Sequence, residues 1–246
     1  VDVPNGLARG VRQASDFLMG LQLTGAARRD SIANLQLRLP VLVIGGGLTA
    51  IDTATEALAY YPLQVEKFLT RYETLCAERG AAAVRARWDG EEQTIADEFI
   101  AHARALRAER AAAAAENRVP RVLELLKAWG GATLVYRRRL VDAPCYTLNH
   151  EEVHKALEEG IEFAECLAPV GVQADHRPQH GRVEVVGDED VAEARAIICA
   201  APGLPRWLPP RIAFGAPRTM ASPASRAARK TRSCIGNSAT IAPRPR

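Results

Sequence analysis
Several things are missing from this chain, and each absence narrows what it can be. No run approaches the roughly 20 apolar residues that a bilayer-spanning helix needs, so no membrane partner is expected. The five cysteines, Cys76, Cys145, Cys166, Cys199 and Cys234, include no C-x-x-C pair. That argues against a structural zinc site and against a redox dithiol. An odd, scattered set fits a reducing compartment, and the N-terminal VDVPNGLARG has no charged-then-apolar signal layout, so a cytoplasmic location is expected. Acidic residues stop at Glu193, and ten basic residues follow it, so the net charge of +3 leaves residues 1–193 at −7. The body is acidic and only the tail is basic, which makes the overall charge a poor guide to partners.

What is present is a chain of 246 residues, 48% hydrophobic, enough for the core of one large domain or two small ones. Its most informative stretch is VLVIGGGLTAIDT, Val41 to Thr53. Four aliphatic residues lead into three glycines and then into residues that continue as a helix, which reads as strand, tight turn and helix. Gly45, Gly47 and Ala50 fit the G-x-G-x-x-G/A pattern: a glycine for the turn, a glycine for close approach of a pyrophosphate, and a small residue where helix meets strand. The helix start behind the turn offers free N–H groups and partial positive charge to phosphates.

Before this motif, GVRQASDFLMGLQL places Val11, Ala14, Phe17, Leu18 and Leu21 at helical spacing, and residues 25–40 are polar and irregular up to Pro40. After it, the helix is expected to end near Tyr60. The second strand of a βαβ unit does not follow. Residues 61–129 instead read as helices, with Phe68, Tyr72, Leu75 and later Ile95, Phe99, Leu106 on apolar faces, and are taken as a helical insertion. Gly130 and Gly131 end that run, and Ala132 to Tyr136 (ATLVY) supplies the delayed strand, followed by Arg137, Arg138 and Arg139. An acid at this strand tip would fit NAD, whereas arginines accommodate a 2′-phosphate, so NADP(H) is the expected ligand; a solvated basic strand end is the alternative. Asn149 is placed to cap a helix that ends at Gly160, Ile161 to Cys166 reads as a strand, Val170–Ala174 and Arg182–Val186 as a hairpin, and Ala196–Ala200 as the last strand.

His150-Glu151-Glu152-Val153-His154 matches H-E-x-x-H, which on a helix puts two imidazoles on one face for zinc. A third ligand would have to be His176 or His180, in a polar loop with no supporting pattern. The motif is therefore read as a solvated helix face, and no metal is expected.

GGGLTAID, VYRR and EEVHKALEEGIEF, in this order, resemble the small (beta) subunit of glutamate synthase and its relatives, flavin-dependent NAD(P)H oxidoreductases with an NAD(P)H domain inserted into an FAD domain. The resemblance covers about residues 6–60 and 130–205. It implies that Gly45, Gly47, Thr49 and Ala50, with Gly46 and Leu48 in the same turn, face the pyrophosphate, and that Arg137 and Arg138 face the 2′-phosphate. GVRQASDFLMGL and AIICAAPGLP resemble the segments by which that family's chain enters and leaves the nucleotide domain. No first Gly-rich FAD fingerprint precedes Val41 and no flavin-returning segment follows Gly203, so FAD is expected on sequence not present here.

The expected fold is α/β: a three-layer Rossmann-like domain from 41–60 and 130–203, a lead-in segment 1–40 with an amphipathic helix, the insertion 61–129 after the first βα unit, and a disordered basic tail 204–246. The expected function is an NADPH-binding domain that presents its nicotinamide to the FAD-binding segments of a parent protein, with no catalytic acid or base of its own. The alternative is a nucleotide-binding or protein-interaction module that docks a partner through exposed faces around Phe68 and Phe99. The tail lacks interleaved aromatics beyond Trp207 and Phe214, so nucleic acid is not counted among the expected partners.

Overall fold
The computed structural model describes residues 10–167 and the backbone of four further strands, at 169–174, 183–187, 196–199 and 213–214. The chain is mixed α/β, with helix outweighing strand among the described residues. In order, the elements are β1 (Val11–Gln13), α1 (Ala14–Leu23), β2 (Val41–Ile44), α2 (Leu48–Arg79), α3 (Ala81–Arg85), α4 (Gly90–Ala115), α5 (Val122–Ala128), β3 (Ala132–Val135), a 3-10 turn (Leu140–Asp142), α6 (Pro144–Glu158), β4 (Glu162–Ala164), β5 (Pro169–Ala174), β6 (Val183–Gly187), β7 (Ala196–Cys199) and β8 (Ala213–Phe214). One sheet has the order β1-β7-β2-β3-β4, the other β5-β6-β8. β2, β3 and β4 run parallel; β7 lies antiparallel beside β2, and β1 antiparallel beside β7. No helix among the described residues is long and apolar enough to cross a membrane.

All four residues of β2 are buried, as a parallel strand covered on both faces requires. Val41 and Val43 join Ala132, Leu134 and Tyr136 in the main helical core, while Leu42, Ile44 and Val135 are buried on the opposite face. Helix α2 lies on β2 and β3 through Ala50, Ala54 and Ala57, whose small side chains at i, i+4, i+7 let the two backbones come close.

Two expectations fail here. GVRQ does not begin a helix: Val11–Gln13 is strand β1, and only Ala14, Phe17 and Leu21 form the buried stripe of α1. The helix after the glycines does not end near Tyr60 but runs on to Arg79 with Pro62 inside it. Pro62 forfeits one backbone bond, and this is outweighed because Tyr60, Tyr61, Val65 and Leu69 are all buried along the same helix. The tail 204–246 contains the two-residue strand β8, parallel to β6, too short to show any periodicity; the rest of the tail lies outside the described residues, as does the HRPQHG loop.

The helices expected as an insertion pack on α2 and on one another rather than presenting apolar faces outward. Tyr61 is fully buried, its ring edge-on to Phe99 at 6.2 Å, and its hydroxyl lies 2.6 Å from His102 Nδ1. His102 stacks on Trp129 at 3.9 Å, and Phe68 meets Phe99 at 5.6 Å. Arg85 lies over Tyr72 and Trp88 and pairs with Asp97. The Phe68–Phe99 face that a docking module would need is thus filled from within.

A second stripe of α2 handles the irregular segment before β2. Leu37, Arg38 and Leu39 are buried without a neighbouring strand, so their backbone groups need side-chain partners. Residues 60, 64, 67 and 71 of α2, at spacings that keep them on one face, supply them. The Tyr60 hydroxyl accepts the Leu35 N–H at 2.7 Å, and burial pushes its pKa up to about 12. Gln64, fully buried, accepts the Leu37 N–H at 2.7 Å and donates to the Leu37 carbonyl at 2.8 Å. Lys67 donates to the Ala26 and Ala33 carbonyls at 2.9 and 2.8 Å, with its pKa lowered by burial and then by Arg71. Arg71 donates to the carbonyls of Ser31 and Ile32. Arg38 forms a two-point ion pair with Glu98 of α4.

Gln64→Leu leaves both polar groups of Leu37 orphaned and is expected to cost about 2–6 kcal/mol in urea denaturation, because each buried unsatisfied group costs about 1–3. Gln64→Glu, which keeps the acceptor, should cost less; equal stability of Gln64→Leu and wild type would refute the role.

Candidate functional site
The carboxyl ends of β2 and β3 lie side by side, with Ile44 opposite Val135, so whatever follows each strand emerges at one edge of the sheet. After β2 this is the glycine turn. Gly45 has φ 153°, a conformation that favours glycine, and its N–H continues the ladder to the Val135 carbonyl at 3.0 Å. Gly47 is the N-cap of α2 and offers no side chain to cap it. Ala50 and Ile51 donate to the Gly47 carbonyl, but no described residue accepts from the N–H groups of Gly46, Gly47, Leu48 or Thr49. The first turn of α2 carries no acid, so the positive end of the helix dipole is not offset there. Gly47, Leu48 and Thr49 are half-buried, and Ala50 is buried against the core. The Thr53 hydroxyl donates to the Thr49 carbonyl at 2.6 Å.

The middle glycine serves packing. A Cβ on Gly46 would fall 2.1 Å from Cε2 of Tyr136, whose buried ring lies across it. The Gly46 carbonyl accepts the Cys145 N–H at 3.1 Å, which fastens the start of α6 to the glycine turn. Cys145 is fully buried, and burial raises its thiol pKa. Tyr136 and Cys145 thus shape the turn from two sides. Neither stood out in the sequence, where Tyr136 counted only as the last residue of a strand.

After β3 come the arginines. Arg137 is half-buried and Arg138 exposed, two and three residues beyond Val135 at the same edge as the glycine turn. The Arg138 carbonyl accepts the Cys166 N–H at 3.1 Å, which holds the strand end against the segment after β4. Arg139 is different. Its guanidinium grips Asp142 at two points, 2.9 and 3.2 Å, across the 3-10 turn. The hydrogen bond from Arg139 holds the Asp142 carboxyl below its usual pKa, with the Arg139 and Arg138 charges adding to it. The strand tip is therefore not carboxylate-free, as the run of three arginines implied. The i, i+3 spacing of Arg139 and Asp142 was the visible signal.

α6 begins at Pro144, a favourable first helical position, five residues before the expected cap. Asn149 is instead a break within it, at φ −153°, ψ 62°. His150 and His154 beyond the break are both exposed, and His154 lies 3.7 Å from Glu158. Among the described residues no group of three or more His, Cys, Asp or Glu is gathered to hold a metal; His176 and His180 lie outside them. α6 packs on α2 through Val153 and Ala156, and the Asp52 carboxyl pKa is raised by partial burial and then by Glu152.

No family model matches the chain. It is 40% identical over 186 residues to an uncharacterized protein of Rickettsia prowazekii (strain Madrid E), a match covering 76% of this chain and 23% of that relative. The chain thus spans under a quarter of the length of the curated relative it matches.

Gly46→Ala is expected to destabilise the fold by about 1–3 kcal/mol, the range for an overpacked site. In a double-mutant cycle with Tyr136→Leu, the second change should recover part of that loss; strictly additive effects in thermal denaturation would show that the ring does not impose the glycine.

Proposed function
We propose that this chain is the NADPH-binding domain of a flavin-dependent pyridine nucleotide oxidoreductase resembling the glutamate synthase small subunit, with a Rossmann-like arrangement of β2, α2, β3, α6 and β4. One observation carries the reading: four amides at the start of α2, for which no described residue is an acceptor, share a sheet edge with Arg137 and Arg138. A pyrophosphate needs convergent N–H donors and positive potential, and a 2′-phosphate one strand away needs guanidinium groups. Both kinds of donor stand where a dinucleotide lying across the carboxyl ends of parallel strands would meet them.

In this reading Gly45, Gly46 and Gly47 form the turn under the pyrophosphate, Leu48 and Thr49 give their amides, and Ala50 keeps α2 close to β2. Arg137 and Arg138 hold the 2′-phosphate. Bound NADPH supplies a hydride. The chain's own residues orient the nucleotide and move no proton. Nothing among the described residues forms a second turn of this kind, so the flavin is assigned to further polypeptide, in keeping with a relative about four times as long as the aligned segment. The antiparallel β7 departs from an all-parallel nucleotide fold; it pairs with β2 on the side away from β3, with Ala196 opposite Ile44.

Calorimetric titration tests the reading. NADPH is expected to bind at least tenfold tighter than NADH, and Arg138→Ala, at an exposed position, should reduce that preference by about tenfold, since a hydrogen bond to a charged group contributes about 1.5–3 kcal/mol. NADPH binding no tighter than NADH would overturn the assignment of the arginines.

A further inference from the structure
We propose that Asp142 is a specificity-setting residue, a built-in carboxylate that occupies Arg139 and competes with the nucleotide's 2′-phosphate for the arginine cluster at the β3 tip. The inference rests on the nucleotide reading above and adds a residue to it.

The geometry supplies the argument. Arg139 is the third of three consecutive arginines, and its guanidinium is held by both carboxylate oxygens of Asp142 at 2.9 and 3.2 Å. Two parallel N–H···O contacts of this kind are how a guanidinium takes a phosphate, so the carboxylate fills the contacts a phosphoryl group would use. The competition is balanced finely enough to be reversible, because both side chains are largely exposed and such pairs are worth little against water. A phosphate dianion, already met by Arg137 and Arg138, brings more charge than one carboxylate.

The connection to the glycine turn is covalent and short. Asp142 closes the 3-10 turn, with its N–H on the Arg139 carbonyl at 3.0 Å. The next residues enter α6, whose Cys145 N–H is fastened to the Gly46 carbonyl at 3.1 Å, and four residues later the helix breaks at Asn149. The turn that holds Asp142 therefore spans from the arginine cluster to the phosphate-binding turn. Asp142 lowers the positive charge offered to a 2′-phosphate and leaves untouched the amides offered to the pyrophosphate, which NADH and NADPH share. Its effect falls on the choice between the two nucleotides and not on dinucleotide binding as such.

The test is parallel titration of NADPH and NADH into wild type, Asp142→Asn and Asp142→Glu at low and high salt. Asp142→Asn should tighten NADPH about fivefold at low salt, a small factor in keeping with an exposed ion pair. It should leave NADH binding unchanged, and the gain should shrink at 1 M salt, where charges are screened within about 3 Å. Asp142→Glu, which keeps the charge, should behave as wild type. Preference for NADPH in wild type with no change in Asp142→Asn would overturn the competition and leave the nucleotide reading standing. Equal tightening of both nucleotides would assign Asp142 to general electrostatics and overturn the proposal. Failure of both nucleotides to bind any variant would overturn the nucleotide reading and this inference with it.

Discussion
Helix α2 has to be buried on several sides at once, and the structure is the set of solutions to that demand. It meets β2 and β3 through alanines, α4 through aromatic rings, α6 through its first turns, and the irregular stretch before β2 through a stripe of polar side chains. The last contact is the demanding one. An extended segment buried away from any sheet leaves N–H and carbonyl groups without a ladder, and each would weigh against folding. Tyr60, Gln64, Lys67 and Arg71 replace the missing strand, and Gln64 does so as a peptide group would, with one donor and one acceptor on the same residue. Burial of Leu37 and Leu39 beside the sheet is possible only because the helix brings polar groups to the same surface.

The candidate site is a by-product of the same arrangement. The close approach of α2 to β2 leaves a glycine turn with no room for side chains and a helix start with no cap. Tyr136 fills the space over Gly46, so the ring and the glycine specify one another. Beside it lie the amides at the start of α2, for which no described residue is an acceptor, at the same sheet edge as Arg137 and Arg138 and on a body that is acidic overall. The apolar surface of α4, in contrast, is spent inside the protein, on Tyr61, Phe68 and Trp129.

How much of this was legible varies with the range of the interaction. The aliphatic run at Val41–Ile44, the glycines after it and the delayed strand at Ala132 are local patterns, and the structure has β2, a turn and β3 there, paired in parallel. The length of α2 was hidden by Pro62, because local rules stop a helix at proline and only tertiary burial carries it through. The stripe from Tyr60 to Arg71 reads as an ordinary polar helix face; that it serves residues 26–37 depends on contacts 25 or more positions apart. Strand β1 was too short to separate from the helix behind it. The arginines stand out along the chain, whereas the pairing of Arg139 with Asp142 three residues on depends on the 3-10 turn that brings them together.

The turn at Gly130–Gly131 has a further bearing, on the order of events during folding. It sets β3 beside β2 through the Val41 N–H on the Gly131 carbonyl, joining residues about ninety positions apart, a separation whose closure is slow compared with helix pairing. The neighbouring helices α2, α4 and α5 can pair through far shorter loops, α5 bringing Trp129 onto His102 of α4. The helical excursion thus doubles as a scaffold that carries β2 and β3 to within reach of one another.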